Sequence, residues 1–238
     1  PEFFYKIVHP DDRFKLLNIL ENLREHRQMD RPIEIRWLHK DGQTVAVEFF
    51  VTPIYDEAGE LVAIEGIARD ITDNFRYRER MEGLYRHASE LGKAENIETV
   101  AKTSFSIIEQ VLGFDRGAFG VVEDNSLHFI YIKGTGTRER FELPLDGKGV
   151  TVRAVRTKQT QLLPDTRKDE DYILIATNER RLSELAVPVT IGDQVVAVIN
   201  LESRKLNAFT EQDQRLIEVF SEHIASALQR LQLLESER

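Results

Sequence analysis

The periodicity of the chain switches between residues 182 and 234, and that switch restricts the fold more than any other feature. Residues 182–190 and 195–202 are rich in Val, Ala, Ile and Leu and flank the turn Ile191-Gly192-Asp193, which predicts an antiparallel hairpin. From residue 211 the apolar positions Ile217, Phe220, Ile224, Ala227, Leu231 and Leu234 fall three and four apart, so residues 211–235 are expected to be one long helix. A hairpin closed by a helix of this length implies an α+β layer arrangement rather than a bundle or a sandwich.

The chain before the hairpin supplies further elements of the same kind. Residues 96–112 carry an apolar helical face of Ile97, Val100, Ala101, Phe105, Ile108 and Val111. Strands are expected at 118–122, 126–133 and 140–145, with turns at Glu123-Asp124-Asn125 and Asp146-Gly147. In 126–133 both faces are apolar, Leu127, Phe129 and Tyr131 on one side and Ile130 and Ile132 with His128 on the other, so both faces need cover. A short helix over 149–158 follows the turn Gly147-Lys148-Gly149. Residues 159–181 read as an irregular, acidic loop.

The first third has its own pattern. Pro10, Asp11 and Asp12 open a helix over 9–27, where acids complement the positive end of the helix dipole. Three strands follow, at 32–39, 44–54 and 61–71, joined by the turns Lys40-Asp41-Gly42-Gln43 and Asp56-Glu57-Ala58-Gly59-Glu60. That is a three-stranded meander. Residues 74–92 place Tyr77, Met81, Leu84, Ala88 and Leu91 on a heptad seam.

Charge and residue usage exclude several functions. The 32 Lys and Arg residues against 41 Asp and Glu leave a net charge of −9, a surface that repels phosphate backbones, so no nucleic acid partner is expected. No apolar run approaches the ~20 residues of a membrane span, so no membrane contact is expected and a cytoplasmic setting is. The chain holds no cysteine, which removes disulfides, thiolate metal sites and thiol catalysis. Gly147-Lys148-Gly149 lacks the following Ser or Thr of a phosphate loop, and His223 lacks the context of a phosphorylated histidine.

Two resemblances then emerge. The run of Glu184, Leu185, Ala186, Val187 and Pro188, the strand ending at Asn200, and Phe209, Thr210 and Asp213 resemble a GAF domain over roughly 93–234. The run from His9 to Asp12, the Trp37–Gly42 hairpin, and Asp70-Ile71-Thr72 resemble the C-terminal half of a PAS domain. The resemblances divide the chain into a half PAS domain (1–73), a connecting helix (74–92) and a GAF-like domain (93–238). The fold class they imply is α+β: an antiparallel GAF-like sheet with helices on both faces, preceded by a partial PAS meander and a linking helix.

What the resemblances imply for function is a sensory module without catalysis. A small molecule of unidentified class would sit beneath residues 159–181 and act through dimeric helices, 77–91 and 217–234, on an output domain such as a histidine kinase. Phe119, Phe129, Tyr131, Val150, Tyr172 and Leu185 are the candidate lining; they form either an occupied pocket or a second core. A ligand-free dimerisation scaffold and a haem sensor using His128 are the alternatives, and no cofactor is identified. Cyclic-nucleotide binding is disfavoured because Leu201 and Gln214 stand where the corresponding motif of such domains has Lys and Glu. Bilin attachment and the sulfoxide reductase activity known in the family both require cysteine and are set aside.

Overall fold

The structure, a computed structural model, describes residues 2–25, 31–134, 141–174 and 181–236. Two compact units divide the chain, residues 1–79 and 80–238. Residues 26–27 of the expected first helix, the first residue of the 140–145 strand and residues 175–180 of the expected 159–181 loop lie outside the described residues.

Unit one begins with helices α1 (Glu2–Ile7) and α2 (Arg13–Arg24), the second entered through a 3-10 turn at Pro10–Asp12. Strands β1 (Ile33–Leu38), β2 (Thr44–Tyr55) and β3 (Leu61–Asp70) form an antiparallel meander in that order. Val8, Leu23, Ile35, Ala46 and Val47 are the buried core. The helix start is tied to the sheet by one carboxylate. Asp12 is only 2% exposed and accepts from Arg36 N and Arg36 Nε, both at 2.9 Å, and from Arg36 Nη2 at 3.0 Å. Burial alone would raise its pKa, but the hydrogen bonds from Arg36 outweigh burial and hold it well below the usual carboxylate range. His9 caps the turn, its Nδ1 accepting from Asp11 N at 3.3 Å.

The end of β3 is fixed in a similar way. Asp70 Oδ1 accepts from Thr72 N at 2.8 Å and from Thr72 Oγ1 at 2.6 Å. The same hydroxyl oxygen accepts from Ala46 N at 3.1 Å. After Ile71 the chain enters α3 (Thr72–Leu91) through this hydrogen-bonded junction.

Unit two is a six-stranded sheet. Helix α4 (Ile97–Val111) leads into β4 (Arg116–Glu123), β5 (Ser126–Lys133) and β6 (Glu142–Pro144). Helix α5 (Val150–Thr157), β7 (Gln161–Leu163), β8 (Ser183–Ile191), β9 (Gln194–Ser203) and α6 (Glu211–Ser236) complete it. The order across the sheet is β6-β5-β4-β9-β8-β7, antiparallel throughout. The loop expected over 159–181 therefore contains an edge strand. Only three residues pair, too few for an alternation to be visible in the sequence.

Helices cover both faces. On one, α4 and α6 pack over Phe105, Leu216, Ile217, Phe220 and Ile224, all fully buried. Gly117 lets this happen: a Cβ there would lie 2.3 Å from the Phe105 ring. The heptad seams expected to join two copies are largely consumed inside the chain. Ile217, Phe220, Ile224 and Ala227 face their own sheet, and Leu84 and Leu91 of α3 are also buried. The latter half of α3 lies along the same layer, with Arg80 Nη1 2.8 Å from Asp213 Oδ1 and Tyr85 edge-on to His223. A three-four spacing is what either arrangement requires, so spacing cannot distinguish them. No helix among the described residues is long and apolar enough to cross a membrane.

Replacing Asp12 by Asn should destabilise unit one by about 1.5–3 kcal/mol at neutral pH, the range for a hydrogen bond to a charged group. Because the folded-state pKa is depressed, this contribution is present above the ordinary carboxylate pKa and fades as pH falls through the lower, folded value. Chemical denaturation of the two proteins between neutral pH and strong acid measures it; equal midpoints at neutral pH would remove the role assigned to Asp12. Ile224→Lys should unfold unit two, whereas a seam residue between copies would give a folded monomer; circular dichroism with sedimentation separates the outcomes.

Candidate functional site

The face opposite α4 and α6 holds the unusual chemistry. Antiparallel pairing sets Glu184 of β8 directly across from Glu202 of β9, and Glu202 across from Arg116 of β4. One rung along, Ala186, Asn200 and Ala118 stand in line. Period-two alternation turns all six toward α5. Glu184, Glu202, Arg116 and Asn200 are 4, 6, 6 and 8% exposed, a row of buried polar groups in strands otherwise built of apolar residues. With Phe129, Phe141, Leu143, Val150, Thr151 and Ile173 they enclose a cavity of about 20 Å³, room for about one water.

Burial dominates the electrostatics. It pushes the Glu184 carboxyl well above the usual range, and the neighbouring Glu202 charge adds to the effect. Glu202 is also raised by burial, although Arg116 Nε at 3.4 Å and the Arg181 charge pull the other way. The two carboxyls share a site in which both cannot ionise cheaply, so the pair gives up its protons at higher pH than free carboxyls do. Glu184 Oε2 and Asn200 Oδ1 are buried and accept from no described residue. A buried acceptor in that state costs about 1–3 kcal/mol unless a ligand or water satisfies it.

The cover is pinned by a cation. Arg153 of α5 donates from Nη2 to Asp169 Oδ2 at 2.7 Å, from Nη1 to Asp171 Oδ2 at 2.9 Å, and from Nε to Gln161 Oε1 at 2.8 Å. The acidic run of the expected loop is therefore bound to the helix beside it. Tyr172 follows, its hydroxyl donating to Glu202 Oε1 at 3.4 Å; burial, then the nearby Glu202 and Glu184 charges, raise its pKa well above the ordinary phenol value.

Of the six expected lining residues, Phe129 and Val150 line this cavity and Tyr172 packs at its side. Phe119, Tyr131 and Leu185 lie on the opposite face. For Tyr131 the reason is a bulge: Phe119 pairs with Tyr131 but Gly120 pairs with Phe129, so Ile130 is an extra residue that reverses the facing of Tyr131. Tyr131 stacks on Phe105 instead, with ring centroids 5.4 Å apart. Leu185 alternates with Glu184 and Ala186 and so faces α6. His128 is partly exposed and pairs with Glu142 Oε2 at 3.3 Å, away from the buried acids. The residues that sequence reasoning missed are Glu184, Glu202, Arg116 and Asn200. Their signal was available: charged groups at matching rungs of a hairpin otherwise made of Val, Ile, Ala and Leu.

The GAF domain family matches residues 94–229, and the PAS fold family matches residues 1–68. The free methionine-R-sulfoxide reductase of Escherichia coli (strain K12) is 25% identical over 124 residues, spanning 52% of this chain and 72% of that protein. Among solved structures, the free methionine-R-sulfoxide reductase from Neisseria meningitidis in complex with its substrate superposes at a TM-score of 0.58 with 20% identity, covering 66% of this chain and 91% of the other. The GAF domain of an Acinetobacter phosphoenolpyruvate-protein phosphotransferase superposes at 0.60 with 14% identity, covering 65% and 95%. The structural likenesses establish the fold. The reductase relatives overturn the expectation of a module without catalysis, since enzymes occur among the proteins to which this chain is similar.

Glu184→Gln should make unit two less sensitive to alkali. A carboxyl whose pKa is raised on folding contributes stability below its unfolded value and loses it as pH rises through the folded value. The melting temperature of the parent should therefore fall from mildly acid to alkaline pH relative to the variant, by roughly 2–4 °C for each kcal/mol of difference. Parallel pH profiles of the two proteins would contradict the burial of an uncompensated acid.

Proposed function

The chain belongs to the GAF domain family, and on that premise we propose that its acid-lined cavity recognises a small free amino acid carrying a polar S=O group, and donates a proton to that oxygen. The observation that carries this reading is the Glu184 carboxyl, buried against Glu202 with one oxygen that accepts from no described residue. A protonated Glu184 offers an O–H to a sulfoxide oxygen, and an ionised Glu202 offers a counter-charge to an ammonium group. Arg116 and Arg181, 6 and 3% exposed, bring positive charge to the same end for a carboxylate. The present cavity holds about one water. A ligand of amino-acid size enters by displacement of the Ile173 side of the cover.

The reductase relatives support this substrate class. Because the chain has no cysteine, the electron pair for a reduction comes from an external thiol. Two thiols and the sulfoxide then give a thioether, a disulfide and one water, with Glu184 supplying a proton to the departing oxygen and recovering it from a thiol. The PAS and GAF matches in one chain also support placing the module within a multidomain signalling protein of the sensor histidine kinase type.

Calorimetric titration with free L-methionine-R-sulfoxide, followed by methionine assay in the presence of dithiothreitol, tests the proposal. Binding heat and methionine formation above the thiol-only blank are expected, with Glu184→Gln lowering turnover by about 10²–10⁴-fold. No heat and no methionine above the blank would refute it.

A further inference from the structure

The two buried acids of unit two differ in their partners. Glu202 collects most of the groups that favour a negative charge. Tyr172 donates to its Oε1 at 3.4 Å, Arg116 Nε lies 3.4 Å from its Oε2, and the Arg181 charge is close by. Glu184 has a hydrogen bond with the Asn200 side chain, and its Oε2 accepts from no described residue. The charges that reach it are those of Glu202 and Asp169, which oppose its ionisation, and of Arg153, which favours it. Near-equal burial with unequal partners makes Glu202 the first of the two to ionise.

One of the partners of Glu202 sits on the cover rather than on the sheet. Arg153 holds Asp169 and Asp171, and Asp169 also turns the chain. Its Oδ1 accepts from Asp171 N at 3.0 Å, and its backbone carbonyl accepts from Tyr172 N at 3.4 Å. The clamp therefore sets where the Tyr172 ring enters. The direction of the hydroxyl follows from a second contact: the Arg181 backbone N–H donates to the Tyr172 oxygen. An N–H group can only donate, so the hydroxyl accepts there and its own hydrogen is left for Glu202. Burial and the two neighbouring acids keep the phenol in its neutral, donating form.

We propose that Tyr172 is a positioning residue that divides the work of the acid pair. By donating to Glu202 it holds that carboxylate as the counter-charge and leaves the proton on Glu184. This role rests on the reading of the cavity as a proton-donating site, and it reaches the reacting atoms only through Glu202.

Carbon-13 NMR of the glutamate carboxyls from acid to alkaline pH tests this, with Glu184→Gln and Glu202→Gln assigning the two signals and circular dichroism verifying the fold. In the parent, Glu202 is expected to ionise before Glu184. Tyr172→Phe removes the hydroxyl and keeps the ring, and it should raise the Glu202 midpoint by about one pH unit. In turnover of methionine sulfoxide with dithiothreitol, the acid limb of the pH profile should move up by about the same amount. Glu184 ionising first in the parent, or a Glu202 midpoint indifferent to Tyr172→Phe, overturns the role of Tyr172. A parent without turnover whose carboxyls titrate as expected overturns the sulfoxide reading and leaves the role of Tyr172 standing.

Discussion

Register is the constraint on which unit two depends. Once β8 and β9 pair about the Gly192 turn, Glu184 and Glu202 must face each other. Their alternation places them on the α5 side, where both are buried. Everything around them answers that placement. Arg116 is brought alongside by the β4–β9 pairing, and Tyr172 reaches Glu202 from the cover. A slip of one residue would turn both acids into the α4–α6 core, where Phe105, Phe220 and Ile224 offer no partner at all. The polar row therefore helps to select the register as well as the chemistry.

Much of the architecture was legible in the sequence, and the reasons for success and failure are physical. The hairpin and α6 were readable because Val, Ile and Ala runs and three-four spacing persist over many residues. β7 was not, because three residues cannot display a period. Phe129 and Tyr131 look equivalent in an alternating strand. They diverge only because one extra residue, Ile130, is accommodated opposite Gly120. A bulge leaves no mark on composition. The search for a pocket among aromatic residues was misdirected for a related reason: large apolar side chains belong to both faces of a fully covered sheet, whereas buried acids belong to one.

The expectation of catalytic silence rested on the missing cysteines. That argument excludes one class of electron donor within the chain, and it says nothing about proton transfer. A carboxyl held in its acid form by desolvation is a reagent in its own right. The cavity geometry rests on the only paired buried acids in the described sheet, Glu184 and Glu202.

The buried pair also changes what folding means for this domain. In the unfolded chain both carboxyls ionise at the ordinary value, whereas burial in the native site shifts their ionisation to higher pH. Between the unfolded and folded values, folding of the GAF unit is thus a chemical reaction with the solvent, drawing protons from the buffer as molecules close. The heat measured for the transition accordingly includes the ionisation heat of whichever buffer gives up those protons. Two laboratories working at the same pH in different buffers would record different enthalpies for the same molecule, and both would be right.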